Sequence, residues 1–100
     1  MLPNMIEIEE GLKNLRERFS AREKESDFNN QLYREAGNSI ILAENHLKSK
    51  ALAIFDLEAA IEDIEEAAVF VRRLDFLAHY TLKYMAGAVR AEVHRMMMEK

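Results

Sequence analysis

Apolar residues recur at two positions of a seven-residue frame along nearly the whole chain, and this pattern restricts the fold more than any other feature. The first position is polar only at Ser26 and Asp75. Its apolar members are Met5, Leu12, Phe19, Tyr33, Ile40, Leu47, Ile54, Ile61, Ala68, Leu82, Val89 and Met96. The second position, three residues further on, reads Ile8, Leu15, Arg22, Asn29, Ala36, Ala43, Lys50, Leu57, Ile64, Val71, Ala78, Met85, Glu92 and Glu99. Because this spacing puts both positions on one side of an α-helix, as in coiled coils and helical bundles, the pattern predicts an all-α fold.

The scarcity of turn-forming residues supports the same prediction. The chain has three glycines and one proline in 100 residues, whereas strands need turns, which favour Gly, Pro, Asn and Asp. Strong helix formers such as Ala, Leu, Glu, Lys, Arg and Met dominate instead. Since a chain of this length falls within the usual range for one domain, we expect residues 1–100 to form a single helical domain.

Polar residues interrupt the seam near residues 26, 50 and 75, and these interruptions suggest turns. Ser26 and Asp27 are good helix N-caps, and Ser49 is a candidate cap for the next helix, whereas the surroundings of Asp75 offer little turn chemistry. We therefore expect helices at about 5–24, 28–48 and 51–98, the last of them kinked or split near residue 75. The predicted architecture is an antiparallel bundle of three or four helices with a long C-terminal helix.

Large apolar side chains outside the seam predict that part of the surface meets a second chain. They lie between Ala67 and Val89, and they are Val69, Phe70, Phe76, Leu77, Tyr80 and Tyr84. A helix that is apolar on more than one face must be covered on more than one face, which a twofold dimer would achieve. In the alternative, the first two helices of the same chain cover both faces. The predicted partner-binding residues are Phe70, Phe76, Leu77, Tyr80 and Tyr84, with Arg72 and Arg73 at the rim.

Charge is unevenly distributed over the second half of the chain. Residues 51–66 contain acidic residues and no Lys or Arg, whereas residues 67–100 are net basic. Two such helices running antiparallel would set the acidic half against the basic half, which selects orientation and partner. The alternative is a solvated helix face.

A row of glutamates is the first candidate for a chemical site. Glu58, Glu62 and Glu66 step by four residues, so their carboxylates line one helix face and could hold a hard cation such as Mg²⁺. Glu62-Asp63-x-x-Glu66 resembles the first acidic motif of the MazG-type all-α nucleotide pyrophosphatases. That resemblance implies metal-dependent nucleotide hydrolysis, although the second acidic motif of the family has no counterpart after Glu66.

The second candidate lies where the third interruption falls. The segment Arg73-Leu-Asp-Phe-Leu-Ala-His79, followed by Tyr80, is similar to the Arg-x4-6-His element of HEPN-type ribonucleases. The similarity implies metal-free RNA cleavage by Arg73 and His79, commonly across a dimer interface. Leu74 departs from the polar residue that usually follows the arginine in that family.

Composition excludes several other functions. The absence of cysteine rules out disulfides and thiolate metal sites and makes a cytoplasmic location the simplest expectation. A net charge of −4 disfavours a nucleic-acid partner, and no apolar run reaches the ~18 residues of a membrane span. We expect no cofactor. The sequence favours a non-enzymatic interaction module that self-associates, most simply as a dimer, and binds another protein as an adaptor, assembly chaperone or inhibitor; a small all-α enzyme of either type above is the alternative.

Overall fold

The computed structural model describes residues 3–25, 28–49 and 52–99, and within these ranges it contains helices and no strand. The helices are α1 (Pro3–Glu25), α2 (Asn30–Leu47), α3 (Ile54–Phe70) and α4 (Phe76–Met98). The all-α prediction is therefore confirmed, and the stretch expected at 51–98 is split near residue 75. No helix of the described part of the chain is long and apolar enough to cross a membrane.

The four helices form an antiparallel up-down-up-down bundle about 50 Å long and 20–22 Å across. Each helix packs mainly on its neighbours in sequence, whereas α1 and α4 meet only sparsely. At the end where α1 passes into α2, Phe19 and Tyr33 are in contact, with ring centroids 6.0 Å apart. Short connections leave consecutive helices no choice but to run antiparallel, so the topology follows from the loop lengths.

The seven-residue frame marks the core. Within the described residues, every apolar member of the frame is either buried or packs against the buried cluster, Ile54 and Met96 being the partly buried ones. Three alanines beside the frame are also buried, namely Ala60, Ala67 and Ala86. Small side chains at these positions let α3 and α4 approach their neighbours closely. At the end of α4 it is Val93, and not its frame neighbour Glu92, that is buried.

The break between α3 and α4 is built on Asp75. Its carboxylate accepts a hydrogen bond from the Ala78 backbone N–H at 3.1 Å, which makes Asp75 the N-cap of α4. The same carboxylate lies 2.8 Å from Nη2 of Arg18, so that α1 holds the start of α4. A polar residue at a seam position is thus buried here because it ends one helix and begins another.

The other predicted caps fare differently. The prediction that Ser49 caps the third helix is wrong, because α3 begins at Ile54 with Ala53 in the N-cap position. There the Asp56 side chain accepts a hydrogen bond from the Ala53 backbone N–H at 3.1 Å. The predicted caps Ser26 and Asp27 lie outside the described residues.

Candidate interaction surface

The outward face of α4 is apolar and aromatic in its first half. Phe76, Leu77, Tyr80 and Tyr84 have 68%, 67%, 57% and 78% of their surface exposed, on the side of the helix away from the core. Phe76 and Tyr80 contact each other edge to face, with centroids 4.6 Å apart. Neither α1 nor α2 covers these side chains, although the sequence allowed that arrangement.

One residue of α3 joins this face across the helix boundary. Val69, 69% exposed, lies beside Phe76 and Tyr80 in a shallow concavity of about 440 Å³. The remaining residues of its wall are basic or can become so: Arg72, Arg73, His79 and Lys83. We call the exposed apolar side chains Val69, Phe76, Leu77, Tyr80 and Tyr84 the aromatic patch.

The predicted partner-binding residues do not all occupy equivalent places. Arg72 and Arg73 are exposed at the edge of the concavity, whereas Leu77 and Tyr84 lie on the same exposed face outside it. Phe70 is only partly exposed and packs against the core cluster. Its ring therefore has an internal packing role, which its position outside the seam did not indicate.

The second half of the same face carries small residues. Gly87 and Ala91 are exposed and line a shallow surface with Arg90, His94 and Met98. A Cβ atom added at Gly87 would meet nothing within 4 Å. At Gly87 the backbone of α4 is therefore open to the approach of another helix, between the longer side chains that flank it.

The row of glutamates faces solvent on α3. Glu58, Glu62 and Glu66 are exposed, and none of them forms an ion pair within the described residues. Among the glutamates of α3 that the structure describes, Glu65 forms the ion pairs with α4: its carboxylate lies 2.9 Å from Nη2 of Arg90 and 3.5 Å from Nζ of Lys83. Glu58 and Glu62 line a shallow groove between α3 and α4 together with Arg90. No group of three Asp, Glu or His side chains in the described ranges converges on a metal position.

Asp63, the other acidic residue of the pyrophosphatase-like motif, points to a different side from its neighbours. Its carboxylate lies 3.6 Å from Nε2 of His46 on α2 and is largely shielded from water. Burial raises the pKa of Asp63, and the charge of His46 only partly opposes this effect. The acids of this motif are therefore divided between the α2–α3 contact and the solvent.

His79 has a fixed ring orientation. Its Nδ1 lies 2.8 Å from the carbonyl oxygen of Ala68, and its ring contacts Tyr80 edge to face. A neutral imidazole that donates from Nδ1 keeps Nε2 free to accept a proton. His79 and Arg73 also line the same concavity. The ribonuclease-like element requires these two side chains to lie near each other.

The candidate surface consists of the aromatic patch, the small residues Gly87 and Ala91 further along α4, and the glutamates on the adjacent face of α3. No protein family, curated protein or solved structure matches the chain in sequence or fold comparisons.

Proposed function

We propose that this protein is a non-enzymatic interaction module that self-associates and binds another protein through the outward face of α4. The observation that carries the proposal is the aromatic patch, which stays exposed although the bundle has its own buried core. Monomeric proteins rarely expose contiguous apolar surface of more than a few hundred Å², and larger patches mark interaction sites.

The composition of the patch is that of a binding surface. Aromatic and arginine side chains are the usual carriers of interface energy, and here Phe76, Tyr80 and Tyr84 lie beside Arg72 and Arg73. An aromatic side chain buries ~150–250 Å² when fully covered, so these three rings alone expose on the order of 400 Å². An adaptor, an assembly chaperone and an inhibitor would all use such a surface.

Native mass spectrometry of the gently purified protein tests the proposal. The wild type should appear as an oligomer, with or without a second protein bound, and Tyr80→Asp should shift it to the monomer. Leu42→Asp is the matched control, because Leu42 is 52% exposed on α2, away from the patch. A wild type that is monomeric and carries no other protein would contradict the proposal.

A metal-free ribonuclease is the second candidate, favoured by the shared concavity of Arg73 and His79 and by the bond that orients the imidazole. In this function, Nε2 of His79 would exchange a proton with the RNA ribose or the leaving oxygen, and Arg73 would stabilise the phosphate. Cleavage of RNA in the presence of a chelator should then be lost in His79→Gln and retained in His94→Gln, whose imidazole is exposed near the other end of α4. Absence of cleavage by the wild type removes this candidate.

A further inference from the structure

Two adjacent helices of the bundle present outward faces of opposite chemical character. On α3 the exposed row Glu58, Glu62 and Glu66, which we call the acidic strip, lacks ion-pair partners in the described part of the chain. Most of the aromatic patch lies on α4, where Lys83 borders it and Arg90 follows about two turns later; both basic side chains are more than half exposed. Because α3 and α4 are adjacent and antiparallel, the two faces lie side by side. The ion pairs that Glu65 forms with Lys83 and Arg90 do not remove the difference in charge between the acidic strip and α4.

A second copy of the chain can meet this double face in two twofold arrangements. If the twofold axis is perpendicular to the helices, α4 lies on α4 and α3 on α3, so that the acidic strips of both copies oppose each other. If the axis is parallel to the helices, α4 of each copy lies on α3 of the other. Like charges placed across an interface disfavour association, whereas opposite charges steer and select it.

We propose that the occupant of this face is a second copy of the chain, docked about a twofold axis parallel to the helices, with the aromatic patch and its basic border on the acidic strip of the other copy. This inference rests on the proposed self-association and specifies its geometry. The assembly stacks the α3–α4 pair of one copy on the α3–α4 pair of the other, so that four helices in two layers form the dimer interface.

The register of the α3–α4 hairpin determines which residues meet. Nδ1 of His79 lies 2.8 Å from the carbonyl oxygen of Ala68, and Nζ of Lys83 lies 3.5 Å from the Glu65 carboxylate, so Glu65 and Lys83 lie at about the same height along the bundle. A parallel twofold axis preserves height, which brings Glu66 of the second copy to Lys83 and Glu62 of the second copy to Gly87 and Arg90. Gly87 lacks a side chain and has open space around it, so the opposing helix can approach there.

The available area matches a specific dimer. The 23 residues of α4 extend for about 34 Å, and two packed helices are about 20 Å wide, so the face covers on the order of 700 Å² per copy. Specific interfaces bury about 800 Å² on each partner. The double face is therefore large enough without contributions from α1 or α2.

A charge exchange between the two helices tests the geometry. Lys83→Glu and Glu66→Lys should each weaken homodimerisation about tenfold or more in sedimentation equilibrium, because each homodimer then opposes like charges twice. An equimolar mixture should restore dimers, since both contacts of the mixed dimer pair opposite charges. Lys13→Glu and Glu17→Lys change the net charge equally on exposed positions of α1 and should leave association unchanged.

Cross-linking distinguishes the two axes directly, because the chain contains no cysteine of its own. When Gly87→Cys and Glu62→Cys chains are mixed and oxidised, the parallel axis predicts a mixed disulfide dimer by mass. Disulfide-linked homodimers of the Gly87→Cys chain as the main product would overturn the inferred axis. Single charge variants that associate as strongly as the wild type would also overturn it. In both cases the proposed self-association stands. A wild type that stays monomeric at millimolar concentration overturns both.

Discussion

Asp75→Ala removes two contacts at the start of α4 in one substitution. The carboxylate accepts from the Ala78 backbone N–H at 3.1 Å and lies 2.8 Å from Nη2 of Arg18. Only 7% of the side chain is exposed, so water cannot readily replace the lost acceptor. The variant therefore measures how much the break between α3 and α4 depends on this one residue.

The expected loss can be divided between the two contacts. An N-cap contributes about 1 kcal/mol, and the ion pair about 0.5–1 kcal/mol, because the Arg18 side chain is 41% exposed and solvent screens its charge. Asp75→Ala should thus lower the free energy of unfolding by about 2 kcal/mol. For a domain of this size, that corresponds to a fall in Tm of roughly 8–16 °C.

Two further substitutions separate the contacts. Asp75→Asn keeps a side-chain oxygen for the Ala78 N–H and loses the charge, so it should cost only the ion-pair share. Asp75→Leu should destabilise about as much as alanine. Urea unfolding followed by far-UV circular dichroism suits this chain, which has no tryptophan. An Asp75→Leu variant more stable than the wild type, as a continuous helix would require, would refute the capping role of Asp75, and an Asp75→Asn variant that costs as much as Asp75→Ala would refute the division between the two contacts.

Three other changes follow from individual contacts. Burial raises the pKa of Asp63 in the folded protein, so the Asp63 carboxyl contributes its full stabilisation at low pH and loses it as the pH rises through that pKa. Asp63→Asn should therefore be more stable than the wild type at neutral pH, and the difference should vanish in acid. A gain in stability that is independent of pH would contradict this expectation. Gly37→Ala should raise the free energy of unfolding by about 0.5–1 kcal/mol, because a Cβ atom there meets nothing within 4 Å. Gly11→Ala should raise the free energy of unfolding by less, because the added Cβ atom would overlap the Met85 methyl group. Equal gains for the two variants in urea melts would refute this difference. The buried Glu44 carboxylate accepts a hydrogen bond from Nε of Arg16 at 2.7 Å. Glu44→Ala should therefore lower the free energy of unfolding by about 1–2 kcal/mol, and Glu44→Gln should lower it by less. Thermal melts that rank the two variants the other way would show that this bond contributes little.

The core of this bundle was predictable because buried helix positions are occupied by apolar residues that recur at helical spacing in the sequence. Residues such as Leu12, Ile40 and Leu82, which the frame places on the seam, are fully buried. The exposed rings of Tyr80 and Tyr84 were predictable for the complementary reason, since they fall outside a seam that the helices can cover. Periodicity therefore predicts which side of a helix faces inwards.

The features that periodicity missed depend on how neighbouring helices approach one another. Phe70 is drawn towards the core at the end of α3, and Ala67 is buried one position beside the seam. Asp75 was ambiguous, because a polar seam residue can lie either within a continuous helix or at the start of a new one. In the structure Asp75 caps α4 and also pairs with Arg18, which is far away in sequence, so no local pattern contains that second contact.

The sparse contact between α1 and α4 has a consequence for how the chain folds. Nearly all packing joins helices that are consecutive in sequence, so a hairpin can form without closing a long loop. Helical proteins with such local contacts fold in about microseconds to milliseconds. We expect the α1–α2 hairpin to form while α4 is still being synthesised, and the Arg18–Asp75 contact to form later, once α4 packs on the bundle.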